Sequence, residues 1–247
     1  MLEAAGLHKA FGSLVVTDGV TLTVPRGGRQ AVIGPNGAGK TTLFNLISGE
    51  LKPDAGAIRV DGVDVSALRP DARARAGLAR SFQRNNLFLD MTVAESLATE
   101  GAVKAGWSRR FWRPFSGAAE LHDEAAAIAE RVGLADRLDS QARHLSYGNQ
   151  RQLEIALALT GAPKVLLLDE PTAGMSPDET KAMRALIAAL PADLTVLMIE
   201  HYMDVVFDLA EIITVLDYGR VLVSGTPDEI RGSDVVRDVY LGRGWDG

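Results

Sequence analysis

Residues 29–47 read RQAVIGPNGAGKTTLFNLI, and this stretch decides the fold. Arg29–Ile33 is a short apolar run of strand type, and Leu43, Phe44, Leu46 and Ile47 recur at helical spacings. Between them, Gly34–Thr41 fits in full the pattern of a glycine, four residues of any kind, Gly-Lys, and Ser or Thr. Glycines let successive backbone N–H groups converge on an anion, and the helix that follows adds the positive end of its dipole. The candidate phosphate cradle is therefore Asn36, Gly37, Ala38, Gly39, Lys40, Thr41 and Thr42. Lys40 is placed to reach the β- and γ-phosphates of a nucleotide, and the Thr41 hydroxyl is placed to offer an oxygen to Mg²⁺.

Working outward, Val165–Leu168, Val196–Ile199, Ile212–Val215 and Val221–Val223 read as further strands. Helical stretches such as Asp178–Leu190 alternate with them, which is the rhythm of a largely parallel sheet. The first 25 residues and Ile58–Val65 read as short strands separated by turns at Gly12, Asp18-Gly19 and Asp61-Gly62, hence as a small antiparallel sheet. From about Thr92 to Leu159 alanine-rich helical patterns take over, notably Ala118–Val132 with Leu121, Ile128 and Val132 as its larger apolar residues. The expected class is α/β: a phosphate-loop NTPase core of RecA type, a small antiparallel β part, and an inserted helical subdomain. All 247 residues are expected to form one domain, with 1–91 and 160–247 as the α/β core and 92–159 as the helical insertion.

Composition narrows the class. The 47% hydrophobic and 23% charged content is that of a globular chain. With no cysteine there is no disulfide framework and no thiolate site. A net charge of −6 makes the chain a poor polyanion binder, so no nucleic-acid partner is expected. Apolar runs such as Ala185–Leu190 stop far short of the roughly 20 residues of a membrane span, and the N-terminus lacks the pattern of a signal peptide. A soluble, non-secreted chain is expected. Trp107–Phe115 (WSRRFWRPF) interleaves arginines with aromatics; packing of the helical part is the favoured reading, and a membrane or permease contact the other.

Two further motifs carry chemistry. Val165–Leu168 runs directly into Asp169-Glu170, and charges at the end of a buried strand need partners. Asp169 suits the Mg²⁺ side, through water, and Glu170 is placed to polarise an attacking water. Leu145-Ser146-Tyr147-Gly148-Asn149-Gln150 precedes the helical RQLEIALAL, with Ser146 as its cap. A helix opening on Gly148 is also a possible anion site, so the chain carries two candidate phosphate sites although one loop holds a triphosphate.

GPNGAGKT, LSYGNQRQ and VLLLDEPT, in that order, resemble the nucleotide-binding subunit of ATP-binding cassette transporters over essentially the whole chain. The middle element separates that family from kinases and GTPases. The resemblance implies that ATP and Mg²⁺ are bound, and that Gln83, in Ser-Phe-Gln-Arg, senses the metal and the water. It implies that His201, after VLMIE, contacts the γ-phosphate and that Phe11 stacks on adenine, although an aromatic there could equally be core. Glu170, His201 and Gln83 are thus the candidate catalytic residues, and Thr41, Gln83 and Asp169 the candidate metal residues. It also implies a composite site in a head-to-tail dimer, where ATP on one subunit's loop meets Ser146 and Gly148 of the other. Separate integral-membrane permease subunits, and a substrate-binding protein, complete the expected assembly on the inner face of the cell membrane.

The chain departs from the usual pattern at Tyr147 (for glycine), Asn149 (for glutamine) and Ser176 (for aspartate). LSYGNQRQLEIALAL, AGMSPDET and IEHYMDVVF are similar to the subgroup that powers branched-chain amino acid, amide or urea importers. The alternatives are an ATPase for lipid or lipopolysaccharide export, and a soluble cassette ATPase outside transport.

Overall fold

The computed structural model describes residues 1–81, 87–104 and 118–241. Strands β1 (Leu2–Phe11) and β2 (Leu14–Val24) lead to β3 (Arg29–Ile33) and helix α1 (Lys40–Ser48). Next come β4 (Ala55–Val60), β5 (Val63–Asp64), α2 (Pro70–Arg75) and β6 (Leu78–Arg80). Helices α3 (Val93–Lys104), α4 (Ala118–Arg131) and α5 (Tyr147–Leu159) precede β7 (Val165–Asp169). The chain continues through α6 (Pro177–Ala188), β8 (Thr195–Ile199), α7 (Met203–Leu209), β9 (Ile212–Asp217), β10 (Arg220–Gly225), α8 (Pro227–Arg231) and α9 (Asp234–Leu241).

The first unit, residues 1–80, 164–170 and 191–247, holds both sheets. The six-stranded sheet runs β10-β9-β3-β8-β7-β6, parallel from β9 to β6, with β10 antiparallel at one edge. Every residue of β7 and β8 is buried, which is why these strands read as unbroken apolar runs. The other sheet, β2-β1-β4-β5, is antiparallel, and in β2 buried Val20, Leu22 and Val24 alternate with exposed Thr21 and Thr23. One core joins the two. Leu43, Phe44, Leu46 and Ile47 of α1, all fully buried, pack with Val32, Leu167, Leu197 and Ile199 of the parallel sheet and with Leu2, Leu7 and Ile58 of the antiparallel one. Burial of each such side chain contributes about 1.5–3 kcal/mol, so α1 is firmly held against both sheets. Its C-terminal end is held by buried Arg73, whose guanidinium donates to the Leu46 and Ile47 carbonyls at 2.6 Å each and to Ser66 and Leu68 carbonyls. Those are carbonyls a helix end otherwise leaves unsatisfied.

One expectation changes here, and one strand is added. Asp18-Gly19 is not a turn: it is a bulge inside β2, where the register slips between the Leu7–Val20 and Lys9–Thr17 pairs, and Gly19 takes φ +68°. The hairpin strands are therefore long, 10 and 11 residues. Leu78–Arg80, too short to signal a strand, pairs with Val165–Leu167 and closes the sheet edge.

The second unit, residues 81–163 and 171–190, is built on α3, α4, α5 and α6. Leu97, Leu121, Ile128, Val132, Leu153 and Met183 are buried. Gly101 lets α3 and α4 meet closely: a Cβ there would stand 3.2 Å from Leu121 Cδ2. Lys104 crosses to the end of α5 and donates to the Leu157 carbonyl at 3.0 Å and to that of Thr160. Helix α6, which the sequence pattern assigns to the α/β rhythm, groups here with the helices, tied to the start of α5 through Glu179.

Candidate active site

The carboxyl end of β3, in the interior of the parallel sheet, opens into the glycine loop, the position where such sheets bind ligands. Gly34 takes φ +153°, and a Cβ on it would stand 2.1 Å from the Leu216 carbonyl oxygen. Gly39 takes φ +99°, and its Cβ would fall 2.6 Å from the Val16 oxygen. Only glycine fits either place, so the loop stays tight against β2 and β9. No side chain caps α1, and no acidic residue lies in its first turn, so its N-terminal N–H groups face outward as an anion receptor. The Lys40 ammonium folds back over the loop and donates to Gly34 O at 2.6 Å and Pro35 O at 3.0 Å. Burial pushes its pKa below the usual lysine value, while the charges of Glu170 and Asp169 pull the other way.

Strand register brings the acidic residues to the same level. Ile199 pairs with both Asp169 and Val32, so the ends of β7, β8 and β3 are flush. Asp169 is buried, and its Oδ2 accepts from Arg80 Nη2 at 2.7 Å. Arg80 Nη1 also reaches Asn45 Oδ1 at 2.7 Å, Ser48 Oγ at 3.1 Å and Glu50 Oε1 at 3.2 Å, which ties the acid to the far end of α1. Glu170 sits in the left-handed region at φ +50°, a conformation that costs a non-glycine residue about 1–3 kcal/mol. It is held there by its N–H donating to Ile199 O at 2.9 Å. Its carboxylate Oε1 lies 2.7 Å from His201 Nε2. His201 follows β8 by two residues, and its own N–H donates to Glu200 Oε2 at 2.9 Å. An acceptor next to a positioned imidazole, at strand ends flush with the one that opens into the glycine loop, can take a proton from water.

In the second unit, Ser146 caps α5, accepting from Asn149 N–H at 3.2 Å. Gly148 N–H donates to Glu179 Oε1 at 2.9 Å, and Ser146 Oγ donates to the same oxygen at 3.1 Å. Ser176 caps α6 in a capping box with Glu179, whose Oε2 accepts from Ser176 N–H at 3.1 Å. Hydrogen bonds from the backbone N–H groups of Ser176 and Gly148, then from the Ser176 and Ser146 hydroxyls, lower the Glu179 pKa to about 2. Tyr147 turns to its own helix: its hydroxyl accepts from Arg151 Nε at 3.2 Å, and its ring lies 5.4 Å from that guanidinium.

The sequence profile of the ABC transporter family matches residues 17–173, from β2 through the phosphate loop to the residues after Glu170. The chain belongs to the ABC transporter family. It is 40% identical to the high-affinity branched-chain amino acid transport ATP-binding protein BraF of Pseudomonas aeruginosa, over 98% of both chains. It is 41% identical to the corresponding LivG protein of Salmonella typhimurium, again over 98% of both. The lipopolysaccharide export ATP-binding protein LptB of Haemophilus influenzae is 32% identical, over 98% of this chain and 97% of that one. Among solved structures, the ADP conformation of an ATP-binding cassette from an ABC transporter superposes with a TM-score of 0.87 at 30% identity, covering 98% of this chain and 99% of that one.

This ABC subunit thus brings Lys40, Asp169, Glu170 and His201 together in its first unit. Phe11 ends β1 and is 49% exposed, so it is not a core aromatic; the Lys9 ammonium stands 5.6 Å from its ring centroid. Gln83 and Trp107–Phe115 lie outside the described residues. No helix among the described residues is long and apolar enough to cross a membrane. Two side chains that tie several elements together were not singled out in the sequence. Arg80 gave no signal beyond a charge in a short apolar stretch, whereas Glu179 was legible as the fourth residue of Ser176-Pro-Asp-Glu179, a capping-box pattern.

Proposed function

We propose that this ABC transporter subunit hydrolyses ATP to drive import of branched-chain amino acids through separate permease subunits. The meeting of Lys40, Asp169, Glu170 and His201 at the flush ends of β3, β7 and β8 carries the hydrolytic part. Lys40 and the loop N–H groups from Asn36 to Thr42 hold the phosphates; Glu170 accepts the proton of the attacking water; His201 orients Glu170 and touches the γ-phosphate. The oxygen donors Thr41 and Asp169, with phosphate oxygens and Gln83, suit Mg²⁺, which takes few protein ligands and neutralises phosphate charge when bound. ATP in each of two facing subunits is met by Ser146 and Gly148 of the other, either in a homodimer or with an unlike ATPase mate. The net charge of −6 opposes approach until those contacts form. The expected setting is the inner face of the membrane, with permease subunits and a substrate-binding protein.

Identity to the branched-chain amino acid transport proteins exceeds identity to the lipopolysaccharide export protein, which favours import. Proteoliposomes holding the cognate permease, substrate-binding protein and any unlike ATPase mate, with this subunit and ATP on the permease's cytoplasmic side, are expected to move leucine, isoleucine or valine towards the ATP, above the level of ATP-free controls. Movement of these amino acids only away from the ATP, or of none of them, would overturn the import reading.

Phe11 supports the adenine ring in this reading, since it is the exposed aromatic at the tip of the β1–β2 hairpin. Phe11→Ala is expected to weaken ATP binding by about 1–3 kcal/mol, the worth of stacking a base on an aromatic ring. A titration with a fluorescent ATP analogue reads it, and unchanged affinity would remove Phe11 from the site.

A further inference from the structure

The start of α5 already holds an anion, and it belongs to the chain itself. One Glu179 carboxylate oxygen accepts from Gly148 N–H at 2.9 Å and from Ser146 Oγ at 3.1 Å, the two residues that the composite-site reading gives to a facing subunit's phosphate. Gly148 and the Glu179 side chain are in close contact: a Cβ built on Gly148 would lie 2.8 Å from Glu179 Cγ. A second anionic oxygen on the same two donors would meet both that bulk and the like charge. We propose that Glu179 is a built-in competitor of the γ-phosphate, an autoinhibitory carboxylate that an incoming ATP must displace before two subunits close. This rests on the composite-site reading above and adds what sets its threshold.

The displaced state has a place to go. The other carboxylate oxygen is held independently by α6, through Ser176 N–H at 3.1 Å and Ser176 Oγ at 3.0 Å. Release of Glu179 from α5 therefore need not undo its cap on α6. Ser176 matters in this: its hydroxyl donates to the carboxylate, which an aspartate in its place could not do. Protonation does not open the contact at any pH near neutrality, because the carboxylate stays ionised down to about pH 2. Competition by a stronger anion does.

The test uses the full chain with Glu170→Gln, which holds ATP uncleaved. Light scattering follows dimer formation against ATP-Mg²⁺ concentration, with and without Glu179→Gln, which removes the charge, and Glu179→Asp, which keeps the charge but shortens the reach. Circular dichroism establishes that each variant is folded. Both variants are expected to lower the ATP concentration at half-dimerisation by about tenfold, the factor for an open arrangement populated one time in ten. A folded variant of either kind whose threshold is unchanged or higher overturns the proposal. Ser146→Arg separates the two layers. If no ATP dimer forms, either of this chain alone or with its unlike ATPase mate, or if the dimer survives Ser146→Arg, the composite-site reading fails and the proposal with it; if Ser146→Arg abolishes the dimer but neither Glu179 variant moves the threshold, the proposal alone fails.

Discussion

Glu170→Gln is expected to bind ATP as the parent does while turnover falls by about 10²–10⁴-fold, the usual worth of a positioned general base. The amide has the shape of the carboxylate and can still bond His201 across the 2.7 Å gap, so the backbone at φ +50° has no reason to relax. What it cannot do is accept a proton from water. The loop side of the site is untouched, since Lys40 is held by the Gly34 and Pro35 carbonyls rather than by Glu170. Phosphate release under ATP-Mg²⁺ measures turnover, and a fluorescent ATP analogue measures binding. Parental turnover would mean that another group is the base; lost binding would mean that Glu170 supports the phosphate cradle itself.

Arg80→Met is expected to lower stability by about 3–5 kcal/mol, since it strips the hydrogen-bonded guanidinium from a buried carboxylate, with Lys40 a further positive charge nearby. The pair is well sealed, with side-chain exposures of 8% for Arg80 and 0% for Asp169. The same guanidinium also serves Asn45, Ser48 and Glu50, so its loss loosens the end of α1 from β7. For a chain of this size the melting temperature is expected to fall by roughly 6–20 °C. The double variant Arg80→Met with Asp169→Asn is expected to recover part of the loss, because the amide needs no counter-charge. Equal melting temperatures for parent and Arg80→Met would show that Asp169 is compensated by other groups.

The fold was legible where a single local rule governs the chain. The buried runs of β7 and β8 could only be strands, and Gly34 and Gly39 mark turns that no other residue could make. Ser146 was readable as a cap because its hydroxyl serves the helix that starts one residue later. Long-range partners were not readable. Arg80 and Asp169 meet across 89 positions because β6 and β7 are neighbours in a parallel sheet, and a three-residue strand carries no periodicity to announce that. Asp18-Gly19 misled because a glycine at positive φ serves a bulge as well as a turn, and only the pairing of β2 with β1 separates the two. Ser176 looked like a departure from the family pattern, yet it completes a capping box, and Tyr147 in the signature finds its partner four residues along its own helix.

Molar mass in solution tests the composite site most directly. Glu170→Gln is expected to be a monomer without nucleotide and a dimer with ATP-Mg²⁺, because only the γ-phosphate supplies an anion to bridge Lys40 of one copy and Ser146 of the next. Adding Ser146→Arg is expected to return it to a monomer at the same ATP concentration. A dimer that persists unchanged with Ser146→Arg would contradict the account, since the start of α5 would then not meet the partner's nucleotide.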